Sequence, residues 1–366
     1  MNSASAKKSN EMPWHTEAYP APTKKLDILL DDARSEILPY LRDRVDRLAP
    51  PMKTVAAYHF GWVNKDGTPR RGRSGKYLRA ALAIATTSAC GIPKKVGLRA
   101  AAAVELVHNF SLIHDDIMDG DASRRGRPTA WSAFGIPLAV LTGDGLLAAA
   151  YKELIDERES NQSTIQTIEA TRLLAATVQD LIVGQALDLD FETRGPVVTR
   201  RECRRMHDGK TGALLACASA LGATAGGADP TRIDALSRLG MYLGRSFQAW
   251  DDILGIWGDP ETTGKPKWND LRNGKKTLPV VTALNAGGPA SEELRDLMSR
   301  NDWHTEPGMI ARSVHLIEAA GGRDSTMEEA EQNHQQSLAA LKSLAFHHAA
   351  HTQLTEIIDS VINRKF

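Results

Sequence analysis

The sequence predicts an all-α fold, and three observations carry that prediction. Apolar residues recur at helical spacing almost without a break from Leu26 to the end of the 366-residue chain. No stretch alternates apolar and polar residues with period two over a useful length, and few segments are rich in β-branched residues. Gly and Pro fall in short clusters between the periodic stretches: GIPKK (91–95), FGIP (134–137), GGADP (226–230) and NAGGPA (285–290). Such clusters mark tight joins rather than linkers.

The first periodic stretch is LDILLDDARSEILPYLRDRVDRL, which begins at Leu26. The residues before it, MNSASAKKSNEMPWHTEAYPAPTKK, lack the apolar core of a signal peptide and read as a disordered polar arm over 1–25. WVNKDGTPRRGRS (62–74) reads as a polar loop. Ala-, Leu- and Arg-rich helical patterns follow near 77–90, 97–119, 135–155, 163–190, 200–223, 231–257 and 277–286. Further patterns cover about 308–319, 325–345 and 351–363. With no internal repeat and no long joint, residues 26–366 are expected to form a single all-α domain.

Composition removes several function classes. Lys plus Arg equals Asp plus Glu, 45 of each, so no overall charge points to nucleic acid or to a membrane surface. The three cysteines, Cys90, Cys203 and Cys217, have no metal-ligand spacing, and a reducing cytoplasm is expected. No apolar run approaches the ~20 residues of a membrane span.

Two aspartate pairs carry the chemistry. The first lies in FSLIHDDIMDGDASRRGRPT, with Asp115, Asp116 and Asp119; the second lies in QAWDDILGIWGDPETTGKPKWNDLRNGKKTLP, with Asp251 and Asp252. Each interrupts an apolar helical pattern, where a carboxylate without a partner is costly to bury. On a helix Asp115 and Asp119 share a face, with Asp116 beside them. Basic residues follow each pair, Arg124 and Arg125 after the first, Lys265 and Lys275 after the second. Carboxylates suit a hard divalent cation, and nearby cations suit phosphate oxygens, so the pattern points to Mg²⁺ and a diphosphate ester.

Other features read as structural. Asp31 and Asp32 sit in a charged amphipathic helix and read as a solvated face. His347, His348 and His351 have helical spacing but no accompanying HExxH glutamate or cysteine, and read as a surface helix face. RMHDGKTGALL is not a phosphate-binding P-loop, because Arg204 stands where that motif requires glycine.

From about Tyr58 to Pro279 these motifs, in this order, resemble the trans-polyprenyl synthetase (isoprenyl diphosphate synthase) family, of a short-chain, actinobacterial-like kind. The resemblance implies a helical bundle of the isoprenoid synthase type with a central substrate cavity, a homodimer, and Mg²⁺ held by Asp115, Asp116, Asp119, Asp251 and Asp252. It implies condensation of isopentenyl diphosphate with allylic prenyl diphosphates. RSGKYLRAAL is similar to the family's GGKRxRP, which assigns Lys76 and Arg79 to the homoallylic diphosphate, although Tyr77 and Ala80 depart from the pattern. His108 matches a position on the same substrate. Arg124 and Arg125 match contacts to the allylic and homoallylic diphosphates, a task that the planar guanidinium fits. Lys210 with Thr211, then Gln248, Lys265 and Lys275, match further substrate contacts, with Lys276 as the alternative to Lys275. Lys210 and Lys265 are also counted among the catalytic residues.

The second pair departs from the family's DDxxD, because Gly255 replaces the third aspartate. Asp259 lies about 12 Å farther along a helix and does not replace it. The position reads as merely depleted, so Gly255→Asp is expected to retain activity. Phe110 and Ser111 match the residues that floor the product tunnel. An aromatic at that point, with no insertion between Asp115 and Arg124, favours a C20 product, geranylgeranyl diphosphate, over C15 farnesyl diphosphate. A class I terpene cyclase is the rival enzyme, disfavoured by Lys76, Arg79 and the second aspartate pair. A non-catalytic partner subunit is disfavoured because both pairs survive.

Overall fold

The computed structural model describes residues 24–70, 75–156, 163–194, 198–260, 266–300 and 302–362. The expected polar arm lies almost wholly outside the described residues, as does Lys265.

The helices follow the periodic stretches closely. The first part of the chain forms α1 (Lys24–Asp46), α2 (Met52–His59), α3 (Leu78–Ala89) and α4 (Leu98–Met118). A hairpin follows, β1 (Ser123–Arg124) paired antiparallel with β2 (Arg127–Pro128), and then α5 (Ala130–Phe134), α6 (Ile136–Ile155) and α7 (Thr164–Thr193). Next come α8 (Arg200–His207), a π-helical turn (Asp208–Gly212), α9 (Ala213–Ala225) and α10 (Pro230–Trp257). The chain closes with α11 (Asn269–Arg272), α12 (Leu278–Asn285), α13 (Pro289–Met298), α14 (Pro307–Ala319), α15 (Gly322–Lys342) and α16 (His348–Asp359).

Capping chemistry sets several of the starts. Ser163 with Gln166 and Thr199 with Glu202 form capping boxes on α7 and α8, and the Asp229 carboxylate accepts from the Arg232 amide to open α10.

Ala-rich helices form the centre. Every residue of α9 is buried, and it packs against α3, α4, α7 and α10. Small side chains let these helices approach closely: the Thr87 hydroxyl of α3 donates to the Gly222 carbonyl of α9 at 2.9 Å. The stretch 94–118, most of it α4, is long and apolar enough to cross a membrane, contrary to the sequence expectation, yet 78% of its apolar window is buried inside the fold. A helix apolar all round is what the middle of a helical bundle requires. A second apolar cluster around Ile256, Leu271, Val280, Trp303 and Ile310 packs α11–α14 against the end of α10.

Several elements escaped the sequence reading, among them α2, α5, α11, α13 and the hairpin. Helices α2 and α13 are too short for a periodic signal. The hairpin turns through Arg125 and Gly126, both at positive φ (52° and 71°), the geometry of a type I′ turn. Arginine is an unusual residue there, so the sequence carried no turn signal. The helical pattern expected over 200–223 is broken by the π turn that carries Lys210.

The two sets set aside as structural are so placed. Asp31 and Asp32 form exposed ion pairs with Arg34 and Lys94, and His347 caps α16 by accepting from the Ala350 amide. Of the cysteines, Cys203 and Cys217 are buried, Cys90 is half-buried, and all are thiols.

Candidate active site

Asp115 and Asp116 ride on the last turn of α4, and Asp119 caps its C-terminus. The helix brings Asp115 and Asp119 to one face while Asp116 turns inward, with only 1% of its surface exposed. Asp116 accepts two hydrogen bonds from Arg124, from Nε at 2.7 Å and from Nη2 at 2.6 Å, both to Oδ1. The β-hairpin folds Arg124 back to reach it.

Asp119 receives Lys275 Nζ at 3.4 Å and Gln185 Nε2 at 3.5 Å. Asp188 of α7 lies next to this group, 2.5 Å from Lys210 Nζ and 3.9 Å from Lys275 Nζ. The first aspartate motif therefore faces a fourth carboxylate and two ammonium groups.

The charges are unequally matched. Burial pushes Asp115 up to about 6; Lys210 and Arg124 oppose that rise, while Asp119 and Asp188 add to it. Burial also pushes Asp188 up, but Lys210 and Lys275 outweigh it and hold the group below its usual range. Lys275 is raised even though burial works against it, because Asp188, Asp119, Asp270 and Glu192 surround it. Lys276, the alternative assignment, instead donates to the buried Phe191 carbonyl.

Lys210 and Thr211 are placed by close backbone approach. The π turn crosses α7 at Gly184 and Gly209, where a Cβ on Gly184 would meet the Lys210 amide and the Gly209 backbone. No larger residue fits that crossing. Thr211 Oγ1 then donates to Gln248 Oε1 at 2.5 Å, and Gln248 Nε2 donates to Asp252 Oδ1 at 2.8 Å.

Asp252 is 3% exposed and engaged on both oxygens, for Oδ2 accepts from the Leu278 amide at 2.8 Å and pairs with His207 Nε2 at 3.1 Å. Burial opposes protonation of His207, but Asp252 outweighs it and holds the imidazole well above its usual range. Asp252 thus ties α8, α10 and the N-terminus of α12 together, while Asp251 is half-buried on the neighbouring position of α10.

A cationic group lies beside the first motif. Arg79 Nη1 is 3.4 Å from His108 Nε2. Burial, then Arg79, Arg125 and Arg124, hold His108 well below its usual range, so it meets Arg79 as a neutral imidazole. The Arg125 guanidinium lies against Gly75, next to Lys76, which is exposed. Glu105 is buried among these cations and accepts from the Ala80 amide at 3.2 Å. A cavity of about 80 Å³ here is lined by His59, Arg70, Asp116, Arg124, Arg125 and Arg127, among others. His59, Arg70 and Arg127 were not singled out in the sequence, and neither were Asp188, Gln185 and His207.

Phe110 and Ser111 sit below the aspartates on α4. The Phe110 ring is nearly buried and meets His114 edge-on at 4.8 Å, while Ser111 Oγ donates to the His108 carbonyl at 2.9 Å.

The structure adds a neighbour to Gly255. It is not an empty position: a Cβ built there would overlap the carboxylate of Asp270 from α11, and even the farther oxygen would lie at 3.0 Å. An aspartate at 255 would need the Asp270 carboxylate to swing aside, so the space beside Gly255 is occupied rather than open.

The donor set suits Mg²⁺. Carboxylate oxygens dominate it, Asp116 Oδ2 and Gln185 Oε1 are buried without a hydrogen-bond partner among the described residues, and Asp115 is short of compensating positive charge. No three acidic, histidine or cysteine side chains among the described residues converge tightly enough to cage an ion by themselves. Mg²⁺ is ordinarily bound through one or two carboxylates, waters and substrate phosphates, and needs no such cage.

The polyprenyl synthetase family model matches residues 70–314. The chain belongs to the polyprenyl synthetase family. It is 44% identical to a geranylgeranyl diphosphate synthase of Mycobacterium tuberculosis over 313 residues, 86% of this chain and 88% of that protein. It is 37% identical to a (2E,6E)-farnesyl diphosphate synthase of the same species over 345 residues, 94% of each chain. A crystal structure of a polyprenyl synthetase from Streptomyces coelicolor A3(2) superposes with a TM-score of 0.86 at 46% identity, covering 92% of this chain and 99% of that one. The all-α isoprenoid synthase fold expected from the motifs is the fold observed.

Proposed function

We propose that this member of the polyprenyl synthetase family is a Mg²⁺-dependent short-chain trans-prenyltransferase that extends allylic diphosphates with isopentenyl diphosphate to the C20 product, geranylgeranyl diphosphate. One observation carries the reading: an acidic group (Asp115, Asp119, Asp188) and a cationic group (Arg79 and Arg125, with the neutral His108 between α4 and Arg79) lie along α4, with Arg124 bridging them through Asp116. That arrangement supports a reading with two diphosphates side by side, which a condensation needs and a cyclase does not. Similarity to the mycobacterial geranylgeranyl diphosphate synthase supports C20. The farnesyl diphosphate synthase, matched over more of the chain at lower identity, supports C15 as the second reading.

In this reading Asp115, Asp119 and Asp251 hold the metal together with Asp116 Oδ2, which has no partner among the described residues, while Asp116 Oδ1 aims Arg124. Asp252, also expected as a ligand, has both oxygens engaged and aims Gln248 and His207. Bound Mg²⁺ supplies neutralisation of the diphosphate oxygens as the C1–O bond of the allylic substrate breaks. Arg124, Lys210, Lys265 and Lys275 receive charge on the departing diphosphate. Lys76, Arg79, His108 and Arg125 hold isopentenyl diphosphate so that its C4 attacks C1; a proton then leaves C2 for the departing diphosphate. The protein's share is positioning and electrostatic stabilisation. Residues 26–366 act as one unit, in the cytoplasm. Exposed Ile136, Leu141 and Ile155 on α6, with Ile165, Ile168 and Ile182 on α7, offer an apolar surface for a second copy, and a monomer by light scattering would contradict the homodimer.

Release of diphosphate should require dimethylallyl and isopentenyl diphosphates together. Release from geranylgeranyl diphosphate alone would indicate a cyclase instead.

Arg79→Ala should raise KM for isopentenyl diphosphate by roughly 10-fold or more, since a charge-assisted contact is worth about 1.5–3 kcal/mol. The allylic KM should change far less, and equal effects on both would mean the two sites are wrongly divided. Phe110→Ala should open the tunnel about 7.5 Å below Asp115 and shift products to C25 or longer. An unchanged product spectrum in an active variant would place the stop elsewhere.

A further inference from the structure

We propose that His114 is a positioning residue for product length: it holds the Phe110 ring at the floor of the tunnel, in a space that Gly143 of α6 leaves for it. This rests on the reading of Phe110 as that floor. Phe110 and His114 lie four apart on α4 and share a face. Their rings meet edge-on, 4.8 Å between centroids and 68° between planes, an arrangement that aromatic pairs prefer. The Phe110 ring is nearly buried, so the imidazole packed against it helps to fix its rotamer.

His114 is itself anchored on a different helix. Its Nε2 lies 3.1 Å from the Val140 carbonyl of α6. A carbonyl only accepts, so Nε2 carries the proton and donates it. Asp144 Oδ1 approaches the same nitrogen at 3.8 Å from the exposed side. Ala139, Gly143, Leu146 and Ala150 recur at helical spacing as a buried stripe of α6, which packs chiefly on α4. At Gly143 the imidazole takes the place of a side chain: a Cβ built there would lie 2.3 Å from Nε2 and 2.5 Å from Cδ2. Any larger residue would displace the ring, so its seat depends on glycine at 143.

Contacts therefore run from α6 through His114 to Phe110. Tunnel depth then depends on how His114 is seated between α4 and α6, and not on the size of Phe110 alone. Without the imidazole, the Phe110 ring is free to turn into the vacated space and uncover the floor.

The test is chromatography of dephosphorylated products made by the full chain and its variants from dimethylallyl diphosphate and radiolabelled isopentenyl diphosphate. His114→Ala is expected to move the main product at least one isoprene unit beyond that of the unaltered chain, the direction expected for Phe110→Ala. His114→Gln, whose amide can still donate to the Val140 carbonyl, should restore most of the original length. Gly143→Ala should dislodge the ring and spread label over neighbouring lengths; combined with His114→Ala it has no ring to displace and should add nothing.

An unchanged product in His114→Ala, beside a lengthened one in Phe110→Ala, overturns the proposal. So does an equal loss of rate at every length with the distribution unaltered, which a residue that merely joins α4 to α6 would give. If His114→Ala fails to fold, Gly143→Ala decides, because it moves the ring without removing it, and an unchanged spectrum there is equally contrary. Failure of the underlying reading looks different. An active Phe110→Ala with unaltered products removes the floor itself, and an unaltered chain that joins no prenyl units removes the function.

Discussion

Asp115→Ala is expected to lower kcat by roughly 10²- to 10³-fold while leaving thermal stability near that of the unaltered protein, the cost typical of losing one group that stabilises transition-state charge. Asp115 is half-buried beside Asp119 and Asp188, and burial raises it to about 6. Such crowding of like charge is unfavourable in the empty fold and becomes favourable only around a cation. Removing one carboxylate therefore costs the fold little and the reaction much. Asp116→Ala should also lose most turnover, by another route: it releases Arg124, which Asp116 holds through two hydrogen bonds. Single-turnover measurements would separate the routes, since Asp116→Ala should weaken substrate binding as well. A kcat near wild type for Asp115→Ala would remove the first motif from the chemistry.

Glu153→Ala should destabilise the fold by about 3–5 kcal/mol, the usual cost of removing one member of a buried ion pair. The Glu153 side chain on α6 is 5% exposed and pairs with Arg44 of α1, with Arg99 of α4 at 3.6 Å, and with the Tyr40 hydroxyl at 2.5 Å. Arg99 also donates to the carbonyls of Glu153 (3.0 Å), Leu154 (3.2 Å) and Asp156 (2.9 Å), which closes the C-terminus of α6. Without the carboxylate two guanidinium groups stay buried beside each other. Urea unfolding should show a lower midpoint with an unchanged slope, and the fraction still folded should keep its activity. A change below about 1 kcal/mol would mean that water in the cavity lined by Arg44, Lys152 and Glu153 already solvates the cluster.

The sequence was most informative where charge interrupts a strong apolar pattern. Asp115 and Asp116 stand out because α4 is otherwise buried, and Arg124 and Arg125 because they are basic residues that follow the aspartates closely in the chain. Asp188 was invisible for the opposite reason. It lies in ALDLDFE, where Asp190 and Glu192 are exposed carboxylates of the same helix, and only the tight crossing of Gly184 with Gly209 shows which one faces inward. Asp252 looked equivalent to Asp251, yet its contacts with Leu278 and His207 depend on pairings between distant segments that no local spacing encodes. Gly255 reads in the sequence only as a lost side chain; the occupant of its space comes from α11, which no local spacing ties to α10.

Chromatography of the dephosphorylated product tests the central claim most directly. The purified chain, given Mg²⁺, an allylic starter and radiolabelled isopentenyl diphosphate, is predicted to accumulate label in the C20 alcohol, geranylgeraniol. Label stopping at C15 would move the assignment to the farnesyl reading. No labelled alcohol at all, from protein that is folded and supplied with both substrates, would contradict the account.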